Sequence, residues 1–250
     1  MNKFDAPHPF VEHVYEFRKR LLIIIITLGI GMVLSYGFSE EIFRLLLLPF
    51  ERISHLQENR MVYLGLTEAF TTYLKVAFWG GLTLSFPIII YQLWKFVSPG
   101  LKETEKKILK PFFITAPFLF IMGSLFAYFC VIPLAWSFFL SFENSTLPLP
   151  LIFEARMSEY FSLVLSFLLA FGLSFQFPLV LIGLFHLGFI SSKSLILKRK
   201  YAIILIFIVA AILTPPDVLS QILLALPLML LYEGAIWVIK RHELLKRYVS

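Results

Sequence analysis

Long uncharged stretches alternate with short charged segments along this chain. Four of these stretches, residues 21–38, 76–94, 111–142 and 160–192, each contain 18 or more residues without a charged side chain. A helix needs about 20 mainly apolar residues to cross the hydrocarbon of a bilayer. The pattern therefore predicts four membrane-spanning helices.

A further apolar tract, residues 201–232, is interrupted by Asp217. Thr214 followed by two prolines and then Asp217 matches a capping box at the start of a helix. We therefore expect two short helices joined by a tight turn. The first would reach about 24 Å, less than a hydrocarbon core of about 30 Å. Two crossings are the simpler interpretation, and a re-entrant hairpin is the alternative.

The predicted fold is an all-α polytopic membrane protein, a single integral domain over residues 1–250. It has six transmembrane helices, the last two short, at about residues 21–38, 69–96, 111–141, 159–188, 201–214 and 217–238. After the first span, Ser39, Glu40 and Glu41 predict the start of an amphipathic helix near the interface, which Pro49 is expected to disturb.

The composition is that of a membrane protein. Hydrophobic residues make up 59% of the chain and charged residues only 15%, whereas about a quarter of the residues of soluble domains are charged. The net charge of +6 does not indicate nucleic acid, because in a membrane protein the position of the cations matters more than their total. A single cysteine, Cys130, excludes an intrachain disulfide. We expect no metal and no other cofactor.

Lys and Arg are concentrated on one side of the predicted bundle. Of the 22 in the chain, 17 precede the first span or lie in the loop after the second, the loop after the fourth or the C-terminal tail. The positive-inside rule makes these segments cytoplasmic. We therefore expect a multi-pass protein of the cytoplasmic (inner) membrane with both termini in the cytoplasm.

The sequence lacks the residue patterns that intramembrane or nucleotide chemistry requires. Its only aspartates, Asp5 and Asp217, do not form the pair of an aspartyl protease. Ser174 and His186 would lie about 18 Å apart on one continuous helix, too far for a nucleophile and its base. There is no zinc-protease motif and no Walker glycine loop. The sequence favours a protein that is not an enzyme.

Carboxylates stand out on the basic cytoplasmic side. Glu12 and Glu16 have the i and i+4 spacing of one helix face, and Glu103 and Glu105 lie in the charged loop over residues 98–110. One interpretation is a solvated amphipathic helix whose arginines only set the topology. Four carboxylates on a basic surface favour instead the recognition of a cationic ligand.

Polar side chains within the predicted spans are candidates for function, because they are costly in hydrocarbon. Gln176 lies at the middle of the run 160–192. It either bonds to a neighbouring helix of the same bundle or contacts a partner helix or a passing substrate. Lys75 is interpreted as a snorkelling residue near the opposite interface.

Several segments resemble the TatC family of the twin-arginine protein translocase, in the same order along nearly the whole chain. The segment HVYEFRKR, residues 13–20, is similar to the N-terminal motif, with Val14 and Phe17 in place of leucines. Four further segments resemble the family. They are PIIIYQLWKFVSPGLKETEKK in the second span and its loop, FAYFCVIPLA in the third span, FGLSFQFP in the fourth span and LTPPDVLSQILLALPLMLLYE in the last two spans. The chain departs from the family at Gln176, where a glutamate is common.

The resemblance implies a receptor and core component that binds the twin-arginine signal peptides of folded proteins at its cytoplasmic face. It implies small single-span partner subunits of the TatA and TatB types, and export driven by the proton-motive force. A homo-oligomer within the complex and the lipid bilayer are further expected partners, and nucleic acid is not.

The resemblance and the positions of the polar groups assign three sets of site residues and no catalytic or metal-binding residue. Signal-peptide binding is assigned to Glu16, Arg18, Phe96, Pro99, Leu101, Glu103 and Glu105. Docking of partner helices is assigned to Gln176, Thr214 and Gln221. Other functional positions are Pro49 and Asp217.

Two other classes of protein remain as alternatives. A small secondary transporter would use Lys75, Gln176 and Glu233 as a substrate path, and a scaffold would have no ligand. Transporters often show internal repeats and polar clusters at mid-membrane. This chain instead carries its acidic residues at the cytoplasmic rim, which favours the receptor.

Overall fold

The computed structural model describes residues 9–53, 61–142, 155–214 and 217–249. The described helices are α1 Pro9–Gly37, α2 Ser39–Ile53, α3 Glu68–Val97, α4 Glu103–Phe126, α5 Ile132–Leu140, α6 Met157–Ser174, α7 Gln176–His186, α8 Ser192–Leu197, α9 Arg199–Leu213 and α10 Val218–Val249. Two short strands, β1 Met61–Val62 and β2 Ala155–Arg156, pair in parallel. The predicted all-α class is confirmed apart from this pair of strands.

Five helical segments of the described residues are long and apolar enough to cross a membrane: His13–Gly37, Glu68–Gly100, Glu103–Leu140, Met157–His186 and Val218–Leu245. The helix α9 has 15 residues, which corresponds to about 23 Å, so the sixth crossing stays a prediction. The expectation of a short last helix is wrong, because α10 has 32 residues. The residues after Glu233 continue the helix, since Lys, Arg, Glu and Leu are good helix formers.

Prolines interrupt two of the long helical segments. A π-helical turn, Ala127–Val131, joins α4 to α5 and ends two residues before Pro133. Phe175 separates α6 from α7, three residues before Pro178. Proline has no backbone N–H and its ring crowds the preceding turn. The fourth span, Met157–His186, therefore consists of two helices separated by one residue.

The helices α1 and α3 pack closely through small residues. A Cβ atom added at Gly81 would lie 2.5 Å from the backbone nitrogen of Met32, and one added at Gly31 would lie 2.7 Å from Oγ of Ser85. Helices in membranes commonly meet through small residues four positions apart. Gly31 with Ser35, and Gly81 with Ser85, have this spacing. The contact between the two helices therefore depends on the absence of larger side chains.

The core of the bundle is built around α6. Eleven of its 18 residues are buried, among them the fully buried Phe161, Phe167 and Phe171. Tyr160 stacks on Trp136 of α5 with ring centroids 5.0 Å apart. Large aromatic side chains bury much apolar surface, so this helix holds its neighbours together.

Ring contacts identify the elements that share one face of the bundle. Phe17 near the start of α1 contacts Phe96 at the end of α3. His186 at the end of α7 contacts Phe112 of α4 and His242 of α10. We call the face with these helix ends the loop face. The opposite face carries α2, β1, β2 and the starts of α3 and α6.

Candidate functional site

Glu16, on the loop face, is paired within the protein. Arg20, one turn further along α1, donates hydrogen bonds to Oε1 of Glu16 from Nε at 3.1 Å and from Nη2. Nη1 of Arg20 also donates to Oε1 of the buried Gln92 on α3, at 3.4 Å. Oε2 of Glu16 lies 3.9 Å from Nδ1 of His13. The Glu16 carboxylate thus already accepts a guanidinium, with two N–H groups on a single oxygen.

An aromatic contact holds the end of α3 beside this pair. The rings of Phe17 and Phe96 meet edge to face with centroids 5.7 Å apart. Pro99 lies in a 3₁₀ turn, Ser98–Gly100, and Leu101 follows in an extended conformation. Phe96, Pro99 and Leu101 therefore lie in one short segment next to the N-terminal motif.

The two acidic residues of the predicted loop belong to the first turn of α4, because the helix already begins at Glu103. Oε2 of Glu105 accepts a hydrogen bond of 2.9 Å from the backbone N–H of Lys102. Glu103 is exposed and pairs with Lys106 at 2.8 Å. The positive end of the helix dipole favours both carboxylates. Among the described residues, no hydrogen bond joins either of them to Glu16.

Arg18 is the one predicted peptide-binding residue with a positive charge. Its side chain is exposed on α1, and it forms no ion pair with another residue of the described ranges. The side chain of Glu12 lies outside the described residues. The structure therefore brings Glu16 together with Arg20 and Gln92, and Phe17 together with Phe96.

An apolar groove of about 430 Å³ lies between α3, α4 and α7. Val97, Leu109 and Leu187 line its outer end, next to the turn that follows α3, and Gln176 lies at its inner end. Nε2 of Gln176 donates a hydrogen bond of 3.0 Å to the carbonyl oxygen of Ala116 on α4. Of the two interpretations of Gln176, the bond to a neighbouring helix of the same bundle is thus observed, and docking of a partner at Gln176 stays a prediction.

Asp217 caps the N-terminus of α10. Its Oδ1 accepts a hydrogen bond of 2.7 Å from the backbone N–H of Ser220. The predicted capping box, with Thr214 as its first residue, is wrong, because Oγ1 of Thr214 donates back to the carbonyl oxygen of Ala210 at 2.9 Å. The two prolines of that box, residues 215 and 216, lie outside the described residues.

Gln221 joins α9 to α10. Its Nε2 donates a hydrogen bond of 3.0 Å to the carbonyl oxygen of Phe207. Thr214 at the end of α9 is buried. Gln176 bonds to α4, whereas the side chains of Thr214 and Gln221 both bond to α9, so the predicted docking residues have partners on different helices.

Pro49 lies inside α2, which continues to Ile53. A proline leaves the carbonyl oxygen four residues earlier without its backbone partner. The hydroxyl of Tyr128 donates a hydrogen bond of 2.6 Å to that carbonyl oxygen, on Leu45. The hydroxyl of Tyr160 donates to the next one, on Leu46, also at 2.6 Å. Two tyrosines from other elements therefore hold α2 on the opposite face.

Residues 12–227 match the family described as Sec-independent protein translocase protein (TatC). The chain belongs to the TatC family. TatC of Magnetococcus marinus is 44% identical over 230 residues, which are 92% of this chain and 83% of that protein. TatC of Rickettsia prowazekii is 44% identical over 92% of this chain and 91% of that protein. This TatC-family protein is thus a component of the Sec-independent protein translocase.

A solved TatC structure has the same fold. It is described as the crystal structure of the twin arginine translocase receptor TatC in DDM, and it superposes with a TM-score of 0.80 at 36% identity. The match covers 91% of this chain and 99% of the crystallised one. The predicted family is therefore confirmed by sequence and by structure.

Sequence reasoning missed a buried carboxylate on the opposite face of this TatC-family protein. Glu68 accepts hydrogen bonds from the backbone N–H groups of Leu64 at 3.0 Å and Ser158 at 3.1 Å, and from Nε of Arg156 at 3.2 Å. Arg156 also pairs with Glu159 at 3.2 Å. Hydrogen bonding to Glu68 raises the pKa of Arg156 above its usual range. The packing of α3 on α6 and the pairing of β1 with β2 bring these residues together from distant parts of the chain, so no local pattern could have shown the pair.

The substrate path of the transporter alternative does not form in this TatC-family protein. Lys75 donates to Ser162 on α6, and Gln176 donates to α4. Glu233 accepts a hydrogen bond from Arg199. The three polar residues thus have three different sets of partners.

Proposed function

We propose that this TatC-family protein is the receptor subunit of a twin-arginine translocase in the cytoplasmic (inner) membrane, with the loop face and both termini in the cytoplasm. The observation that carries the proposal is the Glu16 carboxylate, which accepts the guanidinium of Arg20 on the loop face. The solved relative is itself described as a twin arginine translocase receptor.

The ligand is a signal peptide with two consecutive arginines. Glu16, Glu103 and Glu105 supply the carboxylates, and Arg18 lies exposed at the edge of the site. A guanidinium offers a planar fork to a carboxylate, whereas the ammonium of lysine is a point charge. The site therefore prefers an arginine pair over a lysine pair.

The apolar groove between α3, α4 and α7 binds the part of the signal peptide that follows the arginines. Signal peptides carry about 7–15 apolar residues after their basic segment. Val97, Leu109 and Leu187 at the outer end of the groove lie next to Phe96, Pro99 and Leu101. The groove thus continues from the carboxylates into the bundle, as far as Gln176.

Small single-span subunits of the TatA and TatB types dock on α9 and α10. Both helices expose large apolar side chains, among them Ile212 and Val218 near the turn between them. Thr214 and Gln221 lie at the same end: the partly buried Gln221 supplies a polar group to a docked helix, and the buried Thr214 holds the end of α9 in place for it. Gln176 is a second, separate docking position. Copies of the chain assemble within the complex.

Binding of a labelled signal peptide to the purified protein in detergent tests the receptor function. An arginine-pair peptide should bind more tightly than the lysine-pair peptide. Glu16→Gln and Glu105→Gln should each weaken the arginine-pair peptide about ten-fold, since a charge-assisted hydrogen bond contributes about 1.5–3 kcal/mol. Glutamine at position 105 still accepts the N–H of Lys102, so the start of α4 is preserved.

Glu159→Gln is the matched control, because this exposed carboxylate lies on the opposite face. It should leave peptide affinity unchanged. If both peptides bind equally well and the binding disappears at moderate salt, the binding reflects generic electrostatics. That result would contradict the proposal.

A further inference from the structure

A second groove, of about 490 Å³, lies between α3 and α6 near the opposite face. Most of its lining is apolar, but it also contains Lys75 and Ser162. Lys75 is exposed, and its Nζ donates a hydrogen bond of 2.8 Å to Oγ of Ser162. The groove therefore holds a cation whose polar partner among the described residues is a neutral hydroxyl.

The ammonium group of Lys75 lies close to the end of the bundle. The ion pairs of Arg156 with Glu68 and Glu159 mark that end. Ser162 follows Glu159 by three residues, which is about 4.5 Å along the helix axis. A long side chain on a helix points towards the N-terminus, and the N-terminus of α3 is Glu68. The ammonium group is thus about one helical turn further into the bundle than the ion pairs of Arg156, at the depth of lipid headgroups.

The apolar part of the groove continues from this cation towards the middle of the membrane. It includes Leu82 on α3 and Leu169 on α6. These residues lie seven positions beyond Lys75 and Ser162, a distance of about 10 Å along each helix. This length is suited to an acyl chain, whereas a spanning partner helix offers about 30 Å of apolar surface.

We propose that this groove is a binding site for one anionic phospholipid. The headgroup phosphate accepts hydrogen bonds from Nζ of Lys75 and the hydroxyl of Ser162, and one acyl chain lies along Leu82 and Leu169. A phosphate supplies the negative charge that a cation removed from bulk water requires. Nothing in this site overlaps the proposed peptide site, so the two proposals can be tested separately.

Native mass spectrometry of the delipidated full-length protein, titrated with phosphatidylglycerol, tests the site. Lys75→Met should weaken binding of one phosphatidylglycerol about ten-fold, the loss expected for one charge-assisted hydrogen bond, and Lys75→Arg should retain it. Diacylglycerol with the same chains, which lacks the phosphate, should bind both proteins equally weakly. The matched control is Lys110→Met on α4, at the loop face, which should bind like the unmodified protein.

Leu169→Trp provides a second variant, which fills the apolar part of the groove and keeps Lys75. It should also lose phosphatidylglycerol. Unchanged affinity in Lys75→Met, or an equal loss in Lys110→Met, would overturn the proposal. In the assembled complex, a photoreactive residue at position 78, beside Lys75 in the groove, should crosslink to lipid. Crosslinks to a partner subunit, with none to lipid, would overturn the proposal and would show that a partner helix occupies the groove.

Discussion

Single polar side chains connect helices that are distant in the sequence. Gln176 bonds to α4, Arg20 bonds to Gln92 on α3, and Tyr128 bonds to α2. Within hydrocarbon no water satisfies such groups, so each needs a partner in the protein. Glu16 and Gln176 therefore have structural partners in addition to their proposed roles. Their function is best tested with substitutions that preserve shape.

The role of Pro49 can be measured through the carbonyl oxygen that it leaves without a backbone donor. Tyr128→Phe removes the hydroxyl that donates to Leu45 and should lower the free energy of unfolding by about 1 kcal/mol. Pro49→Ala restores a backbone N–H that can donate to the same oxygen. Tyr128→Phe should therefore cost less in the Pro49→Ala background, as measured by a double-mutant cycle of unfolding in detergent.

Tyr160→Phe is the control for this cycle. The hydroxyl of Tyr160 donates to the carbonyl oxygen of Leu46. The backbone N–H four residues further along belongs to residue 50 and is not changed by Pro49→Ala. Tyr160→Phe should cost the same in both backgrounds. An equal cost of Tyr128→Phe with and without Pro49 would show that the proline does not act through Leu45.

At the scale of helices, close contact between α1 and α3 positions the N-terminal motif beside the end of α3. Gly81→Ala places a methyl group 2.5 Å from the backbone of α1. The added atom should lower the free energy of unfolding by about 1–3 kcal/mol, the usual cost of overpacking. Gly29→Ala is the matched control, because its Cβ meets nothing within 4 Å. Equal stability of the two variants in detergent would contradict this account.

At the scale of the whole molecule, the two faces of the bundle predict which residues are accessible from each side of the membrane. In a Cys130→Ala background, Ser191→Cys on the loop face and Glu40→Cys on α2 should react with an impermeant maleimide from opposite sides. Val218→Cys, whose parent side chain is 73% exposed at the start of α10, should react from the same side as Glu40→Cys.

The reactivity of Val218→Cys decides between the two interpretations of α9 and α10. A full double crossing carries residue 218 to the opposite face, where water reaches it. A re-entrant hairpin would leave it within the hydrocarbon, and Val218→Cys would then react from neither side. Reaction of Glu40→Cys and Ser191→Cys from the same side would instead contradict the proposed orientation of the whole bundle.

The long helices and the family could be predicted from the amino-acid sequence alone. Hydrocarbon accepts only long uncharged stretches as helices, so the pattern of charges indicated the spans, and five of the segments are long and apolar enough to cross. The motifs predicted the TatC family, which the comparisons confirm. The last helix was predicted too short, because a charge inside a helix does not end it where good helix formers continue it.

Which polar groups contact each other becomes apparent only in the folded bundle. Arg20 and Gln92 are 72 residues apart, Tyr128 and Leu45 are 83 apart, and Arg156 and Glu68 are 88 apart. Such contacts depend on the rotation and depth of each helix in the bundle, and no local pattern of residues encodes these two quantities. For the same reason the sequence showed the acidic residues of the candidate site and the i, i+4 spacing of Glu16 and Arg20, but not the bond of Arg20 to Gln92.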